Sequence, residues 1–438
     1  MQKPLYGTQT TLAIGNFPIS GIAMPASLIR ALALIKGHAA VVNGELGLTK
    51  TSLSKAIFDA ADTIASGEHA DQFPIDIFQT GSGTSTNMNM NEVIATLASR
   101  GAVRVHPNDH VNKCQSSNDV IPSTIQLACA LAVRDDLLPS LMLLQKTLKK
   151  KAREFHGIVK TGRTHLMDAV PLRLGDEFSS YASLLDHSIQ RLQEALKRLC
   201  ILPLGGTAVG TGINAHPQFA RLVIARLKKV TKLPLSEAVN HVAAQSCPLA
   251  FLSLSSALKE TSTAMTKMAN DIRLMGSGPV AGLAEIFLPA LQAGSSIMPG
   301  KVNPVLCESV LQVGMEIVGT DATVQAALAI GSQFELNTAM PITAHVLLSS
   351  INHLANVTKL FSEKCIAGIT ANRKLIADRA ARNPMLATAL NDLIGYDQSA
   401  LIAKEAMATG ETIFEVAKRR TKISGENLKK TLGLKKML

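Results

Sequence analysis

Two apolar stripes constrain this chain more than any other feature. Leu138, Leu141, Leu144, Leu148, Ala152 and Phe155 recur at intervals of three and four residues. Phe178, Tyr181, Leu185, Ile189, Leu192, Leu196 and Leu199 do the same. That spacing puts each set on one face of a helix. A stripe of about five turns marks a long amphipathic helix that other helices must cover. Leu306, Val310, Val313 and Ile317 repeat the pattern later in the chain. Aromatic residues make up 3% of the chain and Trp is absent, so the core is aliphatic. Such a core suits packed helices better than sheets, which favour β-branched and aromatic residues. The expected fold is all-α, an elongated bundle of long helices with smaller N- and C-terminal domains.

The pattern changes along the chain. Before the stripes, helical segments such as Ser27 to Leu46 alternate with loops such as the Gly-rich Phe73 to Thr86. Pro203 to Pro217 and Gly276 to Pro304 interrupt the helical region, and a small helical unit begins near Ala371 and contains Asn383 to Ile394. The expected division is residues 1–118, 119–370 and 371–438, within the two to four domains that this length suggests.

Charge and cysteine content narrow the function. The net charge is +11, with runs at Lys149-Lys150-Lys151 and in the tail from Lys418 to Lys436. There is little aromatic interleaving for base stacking and no nucleic-acid module, so these read as solvated helix faces and no nucleic-acid partner is expected. The six cysteines are far apart and form no metal motif, so no metal is expected. They fit reduced thiols in a cytoplasmic protein. The N-terminus lacks a signal-peptide layout. The apolar run Leu127 to Val133 is far shorter than the ~20 residues of a membrane span, so no membrane association is expected.

Dense polar islands lie between the stripes. Thr80 to Val93 (TGSGTSTNMNMNEV) offers uncharged donors and glycines that allow close backbone approach. His106 to Asp119 (HPNDHVNKCQSSND), Gly162 to Leu166 (GRTHL) and Gly205 to Asn214 (GGTAVGTGIN) follow. Gly294 to Pro304 (GSSIMPGKVNP) joins two hydroxyls, a lysine and an asparagine amide on one loop. Hydroxyls beside a cation suit an anionic substrate. A serine serves as a base only where backbone N–H groups or a positive charge stabilise its alkoxide. Gly294 to Lys301 has the wrong glycine spacing for a phosphate-binding loop, and Val302 stands where Ser or Thr is required. Gly210 to Ala215 follows no strand that would make it a dinucleotide fingerprint.

Together these islands resemble the class II fumarases of the fumarase/aspartase superfamily, from about Leu5 to about Thr412. GSSIMPGKVNP matches the superfamily signature. HPND followed by QSSND, GRTHL followed by an Asp and PL, and Phe334-Glu335-Leu336-Asn337 resemble the fumarase branch. The resemblance implies reversible hydration of fumarate to malate without a cofactor, in a homotetramer whose sites take loops from three subunits. Ser295 matches the base, Lys301 and Asn303 the stabilisers of the dianionic intermediate, His165 the residue handling water, and Glu308 its charge partner. Ser82, Gly83, Thr84, Ser116, Ser117, Asn118, Thr164, Ser296 and Val302 match positions that hold a small dicarboxylate. His106, Pro107, Asn108 and Asp109 match a second anion site, or equally a helix cap. Thr84-Ser85-Thr86 and Leu288 to Ala293 look more like the ammonia-lyase branch, and Val103 stands where fumarases often have a basic residue. Aspartate ammonia-lyase or another fumarate-releasing lyase is the alternative, and a non-catalytic scaffold or anion-binding protein the second.

Overall fold

The computed structural model describes residues 4–100, 103–434 and 437; Lys435 and Lys436 of the basic tail lie outside the described residues. The chain begins with α1 (Thr8–Asn16), α2 (Ala26–Glu45), α3 (Thr51–Ala65), α4 (Thr84–Ala98) and α5 (Ser117–Ala132). The expected helix at 27–46 is α2, which packs on α3 and α5. It buries Leu28, Leu32, Ile35, Ala39 and Val42, and with them the cation of Lys36. Almost every residue of α5 from Asp119 to Ala130 is buried. A helix covered on all sides needs no polar face, which accounts for the run at Leu127–Val133.

The first stripe forms α6 (Leu138–Glu154) and the second α7 (Leu174–Leu199), with a hairpin of β1 (Val159–Thr164) and β2 (Met167–Arg173) between them. Leu141, Leu144 and Leu148 are fully buried, as are Phe178, Leu185, Leu192 and Leu199. Leu196 is only half-buried; the seam passes through Ala195 instead. The Phe155 and Phe178 rings meet edge-to-face at 5.1 Å, a preferred aromatic geometry.

The remaining α-helices are α8 (Phe219–Thr231), α9 (His241–Ser246), α10 (Leu249–Met275), α11 (Val305–Gly331), α12 (Met340–Leu360), α13 (Arg373–Ala381), α14 (Asn391–Ile394), α15 (Tyr396–Thr409), α16 (Ile413–Arg420) and α17 (Gly425–Thr431). The last four helices and the turn at Pro384–Leu390 enclose a small core of Leu386, Leu390, Ile402, Ile413, Val416 and Leu428. Apart from the hairpin, strand pairings among the described residues are two residues long. The fold is all-α.

Packing divides the chain into two units. The first comprises Met1–Ser140, Ser188–Thr263 and Gln312–Asn356; the second comprises Leu141–His187, Ala264–Leu311 and Val357–Leu438. The boundaries fall inside α6, α7, α10, α11 and α12.

Two features differ from the expectation. The GRTHL island is a hairpin rather than a loop between helices. The β-branched residues Val159, Thr161, Thr164 and Val170 favour extended backbone, and a bulge at Gly162 shifts the register. A Cβ at Gly162 would lie 2.6 Å from the Val170 carbonyl, so the close strand approach requires glycine. The most apolar long helix is α11, not the segment around Leu127. At 27 residues it is long and apolar enough to cross a membrane by length and composition. Glu308, Glu316 and Asp321 divide it into short runs, which hides this from a search for one unbroken stretch.

Candidate active site

In the first unit, three polar islands converge. Gly83 adopts a left-handed conformation (φ 76°) and starts α4 at Thr84. The turn before it packs against the start of α12. The Met340 N–H donates to the Gly81 carbonyl at 2.9 Å, and a Cβ on Gly81 would lie 1.9 Å from the Thr338 oxygen. The Ser82 and Thr84 hydroxyls are 2.8 Å apart. Ser116 caps α5 in a reciprocal box with Asp119: the Ser116 N–H donates to Asp119 at 2.8 Å, and the Asn118 N–H donates to Ser116 Oγ at 3.3 Å. Asn87 Nδ2 of α4 donates to Ser117 Oγ at 3.0 Å, which joins the first island to the second. Asn118 Nδ2 donates to the Ala208 carbonyl at 2.7 Å, and the Gly205 N–H to Asp119 at 2.8 Å, which joins the second to the glycine-rich loop.

Ser82, Thr84, Ser116, Ser117 and Asn118 therefore sit around the N-terminal ends of α4 and α5. Helix N-termini present backbone N–H groups and partial positive charge, and favour carboxylates. Asp119 is wholly buried. Burial pushes its carboxyl up, opposed by the N–H groups of Ser116, Gly205 and Thr207 and by the Lys36 ammonium.

The second unit carries the charged candidates. His165 and Leu166 form the two-residue tip of the hairpin, since Thr164 pairs with Met167. Both tip residues have positive φ, 55° and 63°, as a tight hairpin turn demands. Neither is glycine, so the tip holds backbone strain of the kind that gathers at functional sites. The hairpin is anchored below its tip. Lys160, 1% exposed, lies 2.8 Å from both Glu177 and Glu285, and Arg163 pairs with Glu285. Burial would raise Glu285, but Arg163 and Lys160 outweigh it and hold the carboxyl low. Glu177 shares Lys160 but lacks the Arg163 fork and is repelled by Glu285; burial therefore prevails and its carboxyl is raised.

The loop 294–304 is held by its own polar groups. The Gly294 N–H donates to the Lys301 carbonyl at 3.1 Å, and Asn303 Nδ2 to the Gly294 carbonyl at 2.6 Å. Ser295 Oγ accepts from the Ile297 and Met298 N–H groups at 3.2 and 3.1 Å. Ser296, Lys301 and Val302 are exposed. A cavity of about 1020 Å³ within this unit is lined by Asn270, Arg273, Ser277, Lys301, Val302 and Asn303, among others. Arg273 adds a second cation that the sequence patterns did not single out. Glu308 is exposed on the first turn of α11 and makes no ion pair with His165 among the described residues.

His106 Nδ1 accepts from the Asn108 and Asp109 N–H groups at 3.3 and 3.1 Å. Within the chain it caps the turn Pro107–Val111. No group of His, Cys, Asp and Glu among the described residues could hold a metal ion.

The helical framework and its polar islands define a lyase: residues 2–319 match the Lyase family, and residues 386–438 match the family described as the fumarase C C-terminus. A fumarate hydratase class II from Mycobacterium tuberculosis is 50% identical over 412 residues, which cover 94% of this chain and 87% of the relative. One from Nitrosomonas europaea is 48% identical, covering 96% of this chain and 93% of the relative. A crystal structure of class II fumarase from Schistosoma mansoni superposes with a TM-score of 0.97 at 38% identity, covering 100% of this chain and 96% of that one. The chain belongs to the class II fumarases.

Proposed function

We propose that this chain adds water reversibly across fumarate to give malate, with Ser295 as the base at carbon. The observation that carries the assignment of Ser295 is its oxygen, which accepts two backbone N–H groups. Those donors would stabilise an alkoxide and so make the hydroxyl a competent proton acceptor.

The hard step is removal of a weakly acidic proton from the carbon next to a carboxylate. The electron pair left behind moves into that carboxylate and makes it dianionic. Lys301 and Asn303 offer a cation and an amide N–H to that charge. Thr84, Ser116, Ser117, Asn118 and Thr164 hold the carboxylates by neutral hydrogen bonds and orient the substrate. His165 delivers or receives the water proton, with Glu308 as its charge partner.

Glu308 does not pair with His165 within one chain, and the groups needed are completed in a homotetramer. Two apolar surfaces support this. Only 39% of the apolar window of α11 is buried, and Met315, Val318 and Ile330 face outward. The hairpin tip exposes Leu166 and Met167. Exposed apolar patches of this kind mark association surfaces. Light scattering of the purified protein tests the assembly: a monomer rules out shared sites.

Fumarate loss in the ultraviolet, measured with and without ammonium, tests the reaction. Malate formed in plain buffer supports hydration. Aspartate formed only with ammonium would move the chain to the ammonia-lyase branch, which Thr84-Ser85-Thr86 resembles.

A further inference from the structure

We propose that Lys36 is a positioning residue for the substrate carboxylate: from beneath the helix N-termini, its ammonium sets the direction in which the Ser117 hydroxyl points. The inference rests on the reading above that Ser117 binds substrate.

Lys36 lies mid-helix in α2 among fully buried aliphatic residues, and its own side chain is fully buried. An unbranched apolar side chain would fill this place without desolvating a charge. The position therefore calls for something the amine does to its neighbours. Its Nζ donates to Asn112 Oδ1 at 2.8 Å. The same oxygen accepts from Asn87 Nδ2 at 3.3 Å, and Asn87 Nδ2 also donates to Ser117 Oγ at 3.0 Å. Asn112 Nδ2 is turned the other way, onto the Gln115 carbonyl at 3.1 Å.

The polarity of this relay follows from its first member. A lysine amine donates whether charged or neutral, and in its charged form it has no acceptor, so it fixes the Asn112 oxygen towards itself. An oxygen there requires the N–H end of Asn87, and that N–H occupies a lone pair of Ser117. The Ser117 proton then has no acceptor inside the relay and is left for a substrate carboxylate. With Lys36 absent, only the Asn112 bond to the Gln115 carbonyl opposes turning of the two amides. The Asn87 oxygen, which is buried and finds no partner, would then take the Ser117 proton and withdraw it from the substrate.

Asp119 gives Lys36 a second hold on the same loop. It lies close enough to raise the lysine's proton affinity against the larger effect of burial, which brings Lys36 down to about 7. Asp119 in turn receives the N–H groups of Ser116 and Gly205. Nothing around Lys36 in the chain marks this role, since one lysine on an apolar helix is ordinarily a solvated or snorkelling residue.

The test uses the full-length enzyme with fumarate as substrate. Lys36→Met keeps the length of the side chain and removes its donors. It should raise KM about tenfold, the worth of one oriented hydrogen bond to an anion, with kcat within about twofold. In a Ser117→Ala background the same change should raise KM by less than about twofold, because the hydroxyl it orients is gone. A full additional rise in that background, a fall in kcat alone, or an unchanged KM would each overturn the proposal. Circular dichroism checks that the variant folds. If Lys36→Met does not fold, Asn87→Asp presents only acceptors to Ser117 and reverses the relay directly; it should raise KM to a similar extent, and an unchanged KM refutes the mechanism. Wild-type turnover is the control that separates the two readings. Without it, the hydratase assignment fails; with it and an unaffected Lys36→Met variant, only the role of Lys36 fails.

Discussion

Glu285→Gln tests how firmly the hairpin of His165 is held. Glu285 is 2% exposed and receives two cations, Lys160 at 2.8 Å and the guanidinium of Arg163. At an effective dielectric of about 20, a unit pair at this distance attracts by roughly 6 kcal/mol before desolvation is subtracted. Removing one partner from a buried pair costs about 3–5 kcal/mol, because the remaining charge stays buried and uncompensated. Here Lys160 keeps Glu177 at 2.8 Å, so the loss falls at the lower end, about 3 kcal/mol. For a cooperative unit of 150–250 residues that is a fall in Tm of roughly 6–12 °C.

Calorimetry at fixed protein concentration measures this, together with kcat. Arg163 stands two residues before His165 on β1, so freeing it should also let the strained tip relax and lower kcat. A Tm within about 2 °C of wild type would refute the energetic reasoning. A large fall in Tm with full kcat would refute the link from the ion cluster to His165. The effect should also depend on pH. The Glu285 carboxyl is held below its usual range, so its contribution is complete above that range and is lost as pH falls through the folded value. The two proteins should therefore converge in stability in acid.

Further outcomes follow from single positions. Ser295→Ala and Lys301→Ala should lower kcat with modest effect on KM, and Ser117→Ala should raise KM; full turnover in Ser295→Ala removes the base assignment. Gly294→Ala places a Cβ 2.1 Å from the Lys301 carbonyl, which breaks the loop closure and should cut kcat at least about tenfold at unchanged Tm; an active variant would show that the closed loop is dispensable. Asp76 accepts the N–H groups of Ser20, Gly21 and Phe78 and the Ser20 hydroxyl. Burial opposes these bonds but they prevail and bring the carboxyl to about 2. Asp76→Asn should therefore lower Tm at neutral pH, with the difference shrinking as pH falls from about 4 towards 2; circular dichroism reads it, and a pH-independent difference would rule out the charge as its source.

Some of this was legible in the sequence because it depends on local periodicity. The stripes at 138–155 and 178–199 became the buried faces of α6 and α7, since a spacing of three and four admits no other regular backbone. The loop signature was legible because Gly, Ser and Pro exclude helix while Lys and Asn bring chemistry. What the sequence does not show depends on partners remote along the chain. Glu285 lies 122 residues from Arg163, and nothing around it marks it as an anchor. Lys36 reaches Asn112 across 76 residues. The hairpin is hidden in the sequence because Gly162 and its bulge break the alternation that identifies a strand.

The proposed roles divide between the two units in a way that has a physical reason. Apart from Thr164, which stands beside His165 on the hairpin of the second unit, the neutral donors Ser82, Thr84, Ser116, Ser117 and Asn118 belong to the first unit and rest on helix N-termini and a buried polar network. These groups meet the carboxylates in the bound substrate and in the transition state alike, so they are best held rigid. The groups that exchange protons or meet new charge, His165, Ser295, Lys301 and Glu308, belong to the second unit and stand on a hairpin tip, a loop and the first turn of α11. Such groups gain from a loop that closes over bound substrate and excludes water. If that division governs the chemistry, substitutions in the polar network of the first unit will act mainly on KM, and those in the loop and hairpin of the second mainly on kcat. A survey in which the two effects were scattered evenly over both units would separate the fold's division from the reaction's.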